Sequence, residues 1–491
     1  MAPRLTKFTN GLLLQDDHLI AGDLWISSDS GKIISPQSAF YGSGSTPDLV
    51  LDLKGKIVSP GFIEAQLNGY SGLDFAKQDP NFEQRFRAVR EGLIKAGVTS
   101  FTPTMTSSLP EVYHTNLPYL GRTQARTASE GTECLGAHVE GPFLNPERNG
   151  IHTKEVLQKA KVWDDIETCY GADNLKYIRC ITAAPELGNM VDLIPEFVAR
   201  DIIYSTGHSD ATFEQAQDAA RAGATMVTHM FNAMRPFGHR DPGIFGLLGQ
   251  QPSRPTTPTQ SPQQSSPTTS PTMRSASNKP PVTPPQQFSL PRRALSNSST
   301  RTPTPRSSID STRRRSSPRS SLSISTSITS VPDATPEPPF FGLISDGIHL
   351  SPPTLKIAYS AHPTGTILIT DAMPLTGLPD GVYPWTNGEN IIKHGSRLTL
   401  ERNGRIAGSA ASLLECVNNF IEWTGCGVAE GLRAVTQTPA RMLREEGKGR
   451  LAVGCDADLC VLELDEDGKC GSSASVFTLL DECIQKMSVM L

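Results

Sequence analysis

The chain has 491 residues and a net charge of −5, long enough for a large barrel or two domains. No apolar run approaches the ~20 residues that span a bilayer, and the first ten residues lack the apolar core of a secretory signal. Nine scattered cysteines without a Cys-x2-Cys pair fit a reduced cytoplasmic protein.

In chain order, Leu5 to Ser59 reads as short strands separated by Gly/Asp/Ser turns, for example Gly22 to Ile26 and Ser30 to Ile34. Residues 1–59 are expected to form the first part of a small β-sandwich. From residue 60 the pattern changes. Runs suited to strands fall at Phe62–Leu67, Thr99–Pro103, Leu135–Glu140, Tyr177–Ala183, Ile202–Gly207, Met226–His229, Gly342–Asp346 and Thr366–Asp371. Helical spacing occupies Phe82–Ala96, ending at Gly97, and Thr212–Ala222, capped by Ser209 or Asp210 and ending at Gly223. Eight strands alternating with helices predict an α/β fold, a (β/α)8 TIM-type barrel over residues 60–394. Its active site is expected at the C-terminal strand ends.

Residues 250–338 interrupt that barrel. Ser, Thr and Pro fill 49 of the 80 positions from 251 to 330, and eleven Lys/Arg face Asp310 alone, a local balance of +10. Such a segment buries too little apolar surface to offset its ordering entropy and is expected to be a disordered insertion. A long surface loop adds little closure entropy. The remainder then carries about −15, with no nucleic-acid footprint. Residues 395–466 read as the second part of the sandwich, with strands at Arg397–Leu400, Arg405–Ala407 and Asp458–Leu464 around helices at Ser412–Trp423 and Val428–Arg444. Residues 467–491 form an atypical tail with a helical look from Phe477 to Met487.

The chemistry-bearing residues stand at strand ends. Glu140 closes a strand and is followed at once by Gly141-Pro142; His208, His229 and Asp371 close three others. One carboxylate and two neutral imidazoles are a ligand set for a divalent metal, which lowers the pKa of a water towards ~7. Asp371 is then the group to take a proton from that water and return it to a leaving amine. Pro374 argues against its being a helix cap. His152, in the loop Asn149-Gly150-Ile151-His152, either polarises a substrate carbonyl or faces solvent, and the residues leave both open. Asn232, Ala233 and Arg240 after His229, and Asp346-Gly347-Ile348-His349, are either anion-binding or structural.

These motifs, in this order, resemble the N-acetylglucosamine-6-phosphate deacetylases of the amidohydrolase superfamily. The matching segments are Pro60 to Gly69, His138 to Asn145, Gly207-His208-Ser209, Thr228 to Met234, Ser345 to His349, Thr370-Asp371-Ala372 and Gly408-Ser409-Ala410. The resemblance implies a barrel with a small β-sandwich from both chain ends, usually dimeric. It implies hydrolysis of N-acetyl-D-glucosamine 6-phosphate to D-glucosamine 6-phosphate and acetate, in amino sugar catabolism. It implies one divalent metal per subunit (Zn first; Fe, Co or Mn as alternatives) on Glu140, His208 and His229. Asp371 is implied as base and acid, and His152 as the carbonyl polariser. Ile151, Asn232, Ala233, Arg240, His349 and the stretch Ile406-Ala407-Gly408 are implied as substrate contacts, Arg240 in either its own or the neighbouring subunit's site. Many amidohydrolases place His-x-His on the first strand for a second metal; here the position is Gln66-Leu67-Asn68, and amides are poor ligands for it.

The insertion and the tail depart from the family pattern. Arg313-Arg314-Arg315-Ser316-Ser317-Pro318 looks like a kinase target. The rival readings are an amidohydrolase acting on another N-acyl sugar or cyclic amide, and an inert barrel whose insertion binds partners. No membrane or nucleic-acid partner is expected.

Overall fold

The computed structural model describes residues 5–37, 46–123, 131–250, 336–385, 389–466, 468–471 and 475–477. Of the insertion expected at 250–338, residues 251–335 lie outside them, as does the tail from residue 478.

Eight parallel strands form the barrel: β1 (Phe62–Leu67), β2 (Val98–Thr106), β3 (Ala137–Glu140), β4 (Ile178–Ala183), β5 (Ile203–Thr206), β6 (Met226–Val227), β7 (Phe340–Ile344) and β8 (Thr366–Ile369). Each pairs with its neighbour in sequence order. The ring closes where Asp371 N–H donates to the Gln66 carbonyl and Asn68 N–H to that of Ala372, each at 3.0 Å. The strands are buried on both faces, which is why they read as near-continuous apolar runs. Helix Phe82–Lys95 shows how the outer layer packs. Phe82, Phe86, Val89 and Leu93 recur on one face and are buried. Phe86 meets Phe75 edge-on at 5.7 Å between ring centroids and lies 5.8 Å from Phe101. Truncating such a ring to alanine costs about 3–5 kcal/mol.

Several boundaries differ from expectation, for non-local reasons. The helix expected at Val428–Arg444 is two, Val428–Arg433 and Gln437–Met442. The break frees the carbonyls of Ala434 and Val435 to accept from Leu368 N–H (3.0 Å) and Ile63 N–H (2.8 Å) at the barrel floor. Helix Phe213–Ala222 is capped by Thr212, which accepts from Gln215 N–H, and not by Ser209 or Asp210. Those two are held instead by Glu186, through Ser209 Oγ at 2.7 Å and Asp210 N–H at 2.6 Å.

The chain ends meet in one seven-stranded sheet. Leu5–Gln15 pairs with His18–Ser27, Leu49–Asp52 and Ile57–Pro60; Leu459–Leu462 pairs antiparallel with Ile57–Pro60. Its core is Phe8, Leu13, Leu24, Ile26, Leu51, Val58, Leu459 and Val461. Two expectations are corrected here. Arg397–Leu400 and Ile406–Ser409 do not join this sheet. With Gly381–Pro384 and Asn390–His394, two segments expected in the barrel, they form a separate four-stranded antiparallel sheet on its own core of Met373, Leu375, Ile391 and Leu398. An alternating pattern records which face is buried, not which sheet receives it. In the tail, Phe477 is not helical: Ser475–Phe477 is a strand on the edge of Leu459–Leu462.

Candidate metal centre and active site

Every chemistry-bearing residue picked out at a strand end stands at the C-terminal mouth of the barrel. Glu140 is the last residue of β3, and His208, His229 and Asp371 follow β5, β6 and β8. His208, His229 and Asp371 have positive φ of 48°, 27° and 47°. Left-handed backbone at a residue with a side chain costs on the order of 1–3 kcal/mol and persists where the surroundings over-determine it. Here it ends each strand and leaves the side chain over the mouth.

Glu140, His208 and His229 are all buried. Glu140 Oε1 lies 2.9 Å from His229 Nε2 and 3.2 Å from His208 Nε2, and the two imidazole nitrogens are 3.0 Å apart. Ligand atoms disposed tetrahedrally around a cation at 2.0–2.1 Å would stand about 3.3 Å from one another. His208 Nδ1 lies 2.8 Å from the Arg148 carbonyl. A carbonyl only accepts, so Nδ1 carries the proton and Nε2 presents a lone pair. His229 Nδ1 is buried with no partner among the described residues. Burial disfavours charge on His229, but its hydrogen bond to Glu140 and that carboxylate's charge outweigh this and raise its pKa to about 9. Burial likewise works against the Glu140 charge, and the His208 and His229 hydrogen bonds overcome it, taking its pKa well below the usual range. The cage is built around positive charge, and the donor set fits a divalent cation.

His152 is also near: Nε2 is 3.7 Å from Glu140 Oε2, and Glu140, His152 and His208 offer ligand atoms within 4.8 Å of one another. The tautomer distinguishes the roles. Ser107 N–H donates to His152 Nδ1 at 3.1 Å, so Nδ1 is the acceptor and Nε2 carries the proton. Burial holds the pKa of His152 down at about 3, keeping it neutral. His152 is thus a buried N–H donor aimed into the cage, not a solvent-facing side chain. A second acidic group, Glu133, Asp456 and Asp458, already has its positive charge in Lys448 Nζ, at 2.7, 2.9 and 3.2 Å.

Asp371 caps no helix. Its Oδ1 accepts from Asn68 Nδ2 at 2.7 Å and Gln66 Nε2 at 3.2 Å, and Gln66 Nε2 also donates to Glu140 Oε1 at 3.0 Å. Burial, then the Glu140 charge, raise its pKa to about 6, a value suited to a base near neutrality. The amides at the former His-x-His position thus hold both carboxylates. Sequence reading saw what Gln66 and Asn68 could not ligate and missed what they donate. It also missed Ser107, which follows β2 and was findable by the rule that found Glu140.

The remaining candidates ring this cage less closely. Asp346 is buried and binds His349 Nδ1 through Oδ2 at 2.7 Å and the Ile348 and His349 amides through Oδ1, so it orients His349. Gly347 has φ 73°. Asn232 and Ala233 are half-buried, whereas Ile151, at 64% exposure, and Arg240 face outward. Arg240 makes no ion pair among the described residues. Ile406–Ser409 reaches the site through Ser409, whose carbonyl accepts from Met373 N–H at 2.9 Å, two residues beyond Asp371. Gly408, at φ 107°, packs so closely on Met373 that a Cβ would come within 2.5 Å of its Cγ; Ala407 is half-buried and Ile406 exposed.

A family model described as "Amidohydrolase family" matches residues 426–475. Curated N-acetylglucosamine-6-phosphate deacetylases align over nearly the whole chain. The human protein is 32% identical over 94% of this chain and 92% of its own length, and the Danio rerio protein 34% over 94% and 93%. The chain belongs to the N-acetylglucosamine-6-phosphate deacetylase family. Solved deacetylases share the fold. The Pasteurella multocida enzyme superposes with a TM-score of 0.66 at 22% identity, covering 95% of this chain and 97% of its own. A Mycobacterium smegmatis variant, solved with N-acetyl-D-glucosamine 6-phosphate, gives 0.65 at 21%, covering 98% of both chains. Among the described residues no helix of this deacetylase-family chain is long and apolar enough to cross a membrane.

Proposed function

We propose that this chain hydrolyses N-acetyl-D-glucosamine 6-phosphate to D-glucosamine 6-phosphate and acetate in the cytoplasm, as a step of amino sugar catabolism. The observation that carries the reading is the placement of a proton donor and a proton acceptor at one cage: His152 Nε2–H, 3.7 Å from Glu140 Oε2, and Asp371, tied to Glu140 through Gln66. Glu140, His208 and His229 would hold one divalent cation, zinc first by its preference for such a set and iron, cobalt or manganese as alternatives. When bound, the cation supplies Lewis acidity towards the acetamide carbonyl and the attacking water.

The residues do the rest. His152 donates from Nε2 to the carbonyl oxygen as negative charge develops there. Asp371 takes a proton from the water as it attacks the carbonyl carbon, and then passes it to the departing nitrogen. Asn68 and Gln66 hold the reacting carboxylate in place. Asn232, Ala233, His349 and Arg240 supply sugar and phosphate contacts, with Ile151 and Ile406-Ala407-Gly408 at the margin. Arg240 is exposed and free of ion pairs among the described residues, which suits an arginine reaching a phosphate in the neighbouring subunit's site of a homodimer. The two chain ends are read as a small β domain beside the barrel, and Ser316-Ser317-Pro318 of the insertion as a kinase target.

The deciding experiment is acetate release from N-acetylglucosamine 6-phosphate by purified protein of measured metal content, beside the unphosphorylated sugar. Turnover of both at equal kcat/KM, or of neither, would overturn the assignment.

A further inference from the structure

The barrel interior changes character one layer beneath the metal cage. Cys180, Ile203 and Met226 belong to an apolar interior cluster with Ile63, Ile367 and Ile369. Two residues further along the same strands, on the same faces, stand Thr182 and Ser205, with Thr228 just past the end of β6. His138 is the corresponding residue of β3, two before Glu140. All four are buried, at 4% exposure or less. They form a single chain of hydrogen bonds: His138 Nε2 to Thr182 Oγ1 at 2.7 Å, Thr182 Oγ1 to Thr228 Oγ1 at 2.6 Å, and Thr228 Oγ1 to Ser205 Oγ at 2.5 Å. Barrel layers are ordinarily filled by Val, Ile and Leu, and a buried polar network offers stability only when every member is satisfied. At its end, His138 Nδ1 makes no hydrogen bond of regular geometry among the described residues, the Ala65 carbonyl being the acceptor it faces.

The layer touches the base of each candidate ligand. His138 shares the inner face of β3 with Glu140. Thr228 immediately precedes His229. Thr228 and Thr182 pack under Gly207, next to His208, so closely that a Cβ there would come within 2.7 and 2.8 Å of them. Both histidines sit in left-handed backbone, which needs support from below.

We propose that His138, Thr182, Thr228 and Ser205 form a positioning network that holds the metal ligands in register and so sets metal affinity. The proposal rests on the reading of Glu140, His208 and His229 as ligands. Partners of metal ligands outside the coordination sphere characteristically set affinity by about 10–100-fold.

The test measures Zn2+ affinity by competition with a chromophoric chelator, and the Tm of the metal-free protein, on the full chain. Thr182→Val keeps the shape and removes the hydroxyl. It strips a partner from His138 Nε2 and Thr228 Oγ1, so the metal-free Tm should fall by a few degrees, while Zn2+ binding to the folded protein weakens by about 10–100-fold; Thr182→Ser should restore both. Wild-type affinity in Thr182→Val overturns the proposal. So does a parallel fall of affinity and metal-free Tm in both variants, which would mark a structural layer. Should Thr182→Val not fold, Ser205→Ala, at the end of the chain, decides by the same criteria. His208→Ala is the control: if it binds Zn2+ like the wild type, the ligand assignment has failed rather than the network.

Discussion

Asn68 donates its side-chain amide to Asp371 Oδ1 at 2.7 Å, across the seam where the first and last barrel strands close. The contact positions Asp371 and leaves it ionisable. Asp371→Asn should therefore abolish acetate release, a loss of 10²-fold or more, while Zn2+ content stays at the wild-type level. Metal analysis beside the assay separates the two, and full activity in this variant would remove Asp371 from the mechanism.

The same residue sets a pH limb. Its pKa is raised to about 6, by burial first and the Glu140 charge second. A base acts when deprotonated, so kcat/KM should rise with pH up to about 6 and then level. A bound cation favours the carboxylate and would shift the limb lower, never higher. Asn68→Asp puts a second carboxylate beside Asp371 and should move the limb upward, which a pH–rate profile would register.

Glu64 gives a prediction about stability. It lies on β1, buried, and accepts from Gln66 N–H at 3.1 Å and Thr370 N–H at 3.3 Å. Burial raises its pKa from 4.5 to about 8. The folded state therefore binds a proton that the unfolded chain releases above 4.5. Its contribution is whole below pH 4.5 and is lost as pH rises to about 8, a change on the order of a few kcal/mol. Glu64→Gln cannot ionise and should flatten that slope in denaturant titrations between pH 5 and 8.

What was legible in the sequence was what a strand end signals locally. Glu140, His208, His229 and Asp371 each close an apolar run, and the mouth of the barrel brings such ends together. What was not legible depended on distant partners. The break between the helices at Val428–Arg433 and Gln437–Met442 arises because Ile63 and Leu368 need carbonyl acceptors, which the helical pattern does not record. Arg397–Leu400 alternates like a sandwich strand, yet pairs with Asn390–His394 and Ile406–Ser409. What sets His152 apart from His208 and His229 is a backbone amide facing its Nδ1, and no spacing contains that.

That last distinction can be measured. If Ser107 N–H fixes His152 as a donor at Nε2, His152→Ala should keep its zinc and lose about 10²–10³ in kcat, as when one donor to a developing oxyanion is removed. His229→Ala should lose the metal itself, and with it the Tm increase that saturating zinc gives the wild type, about 2.7 kcal/mol of stabilisation at a hundred times Kd. Zinc titrations followed by thermal melts would show the two variants diverging. The reverse result, zinc lost from His152→Ala and kept by His229→Ala, would make Glu140, His152 and His208 the ligand set and His229 the donor.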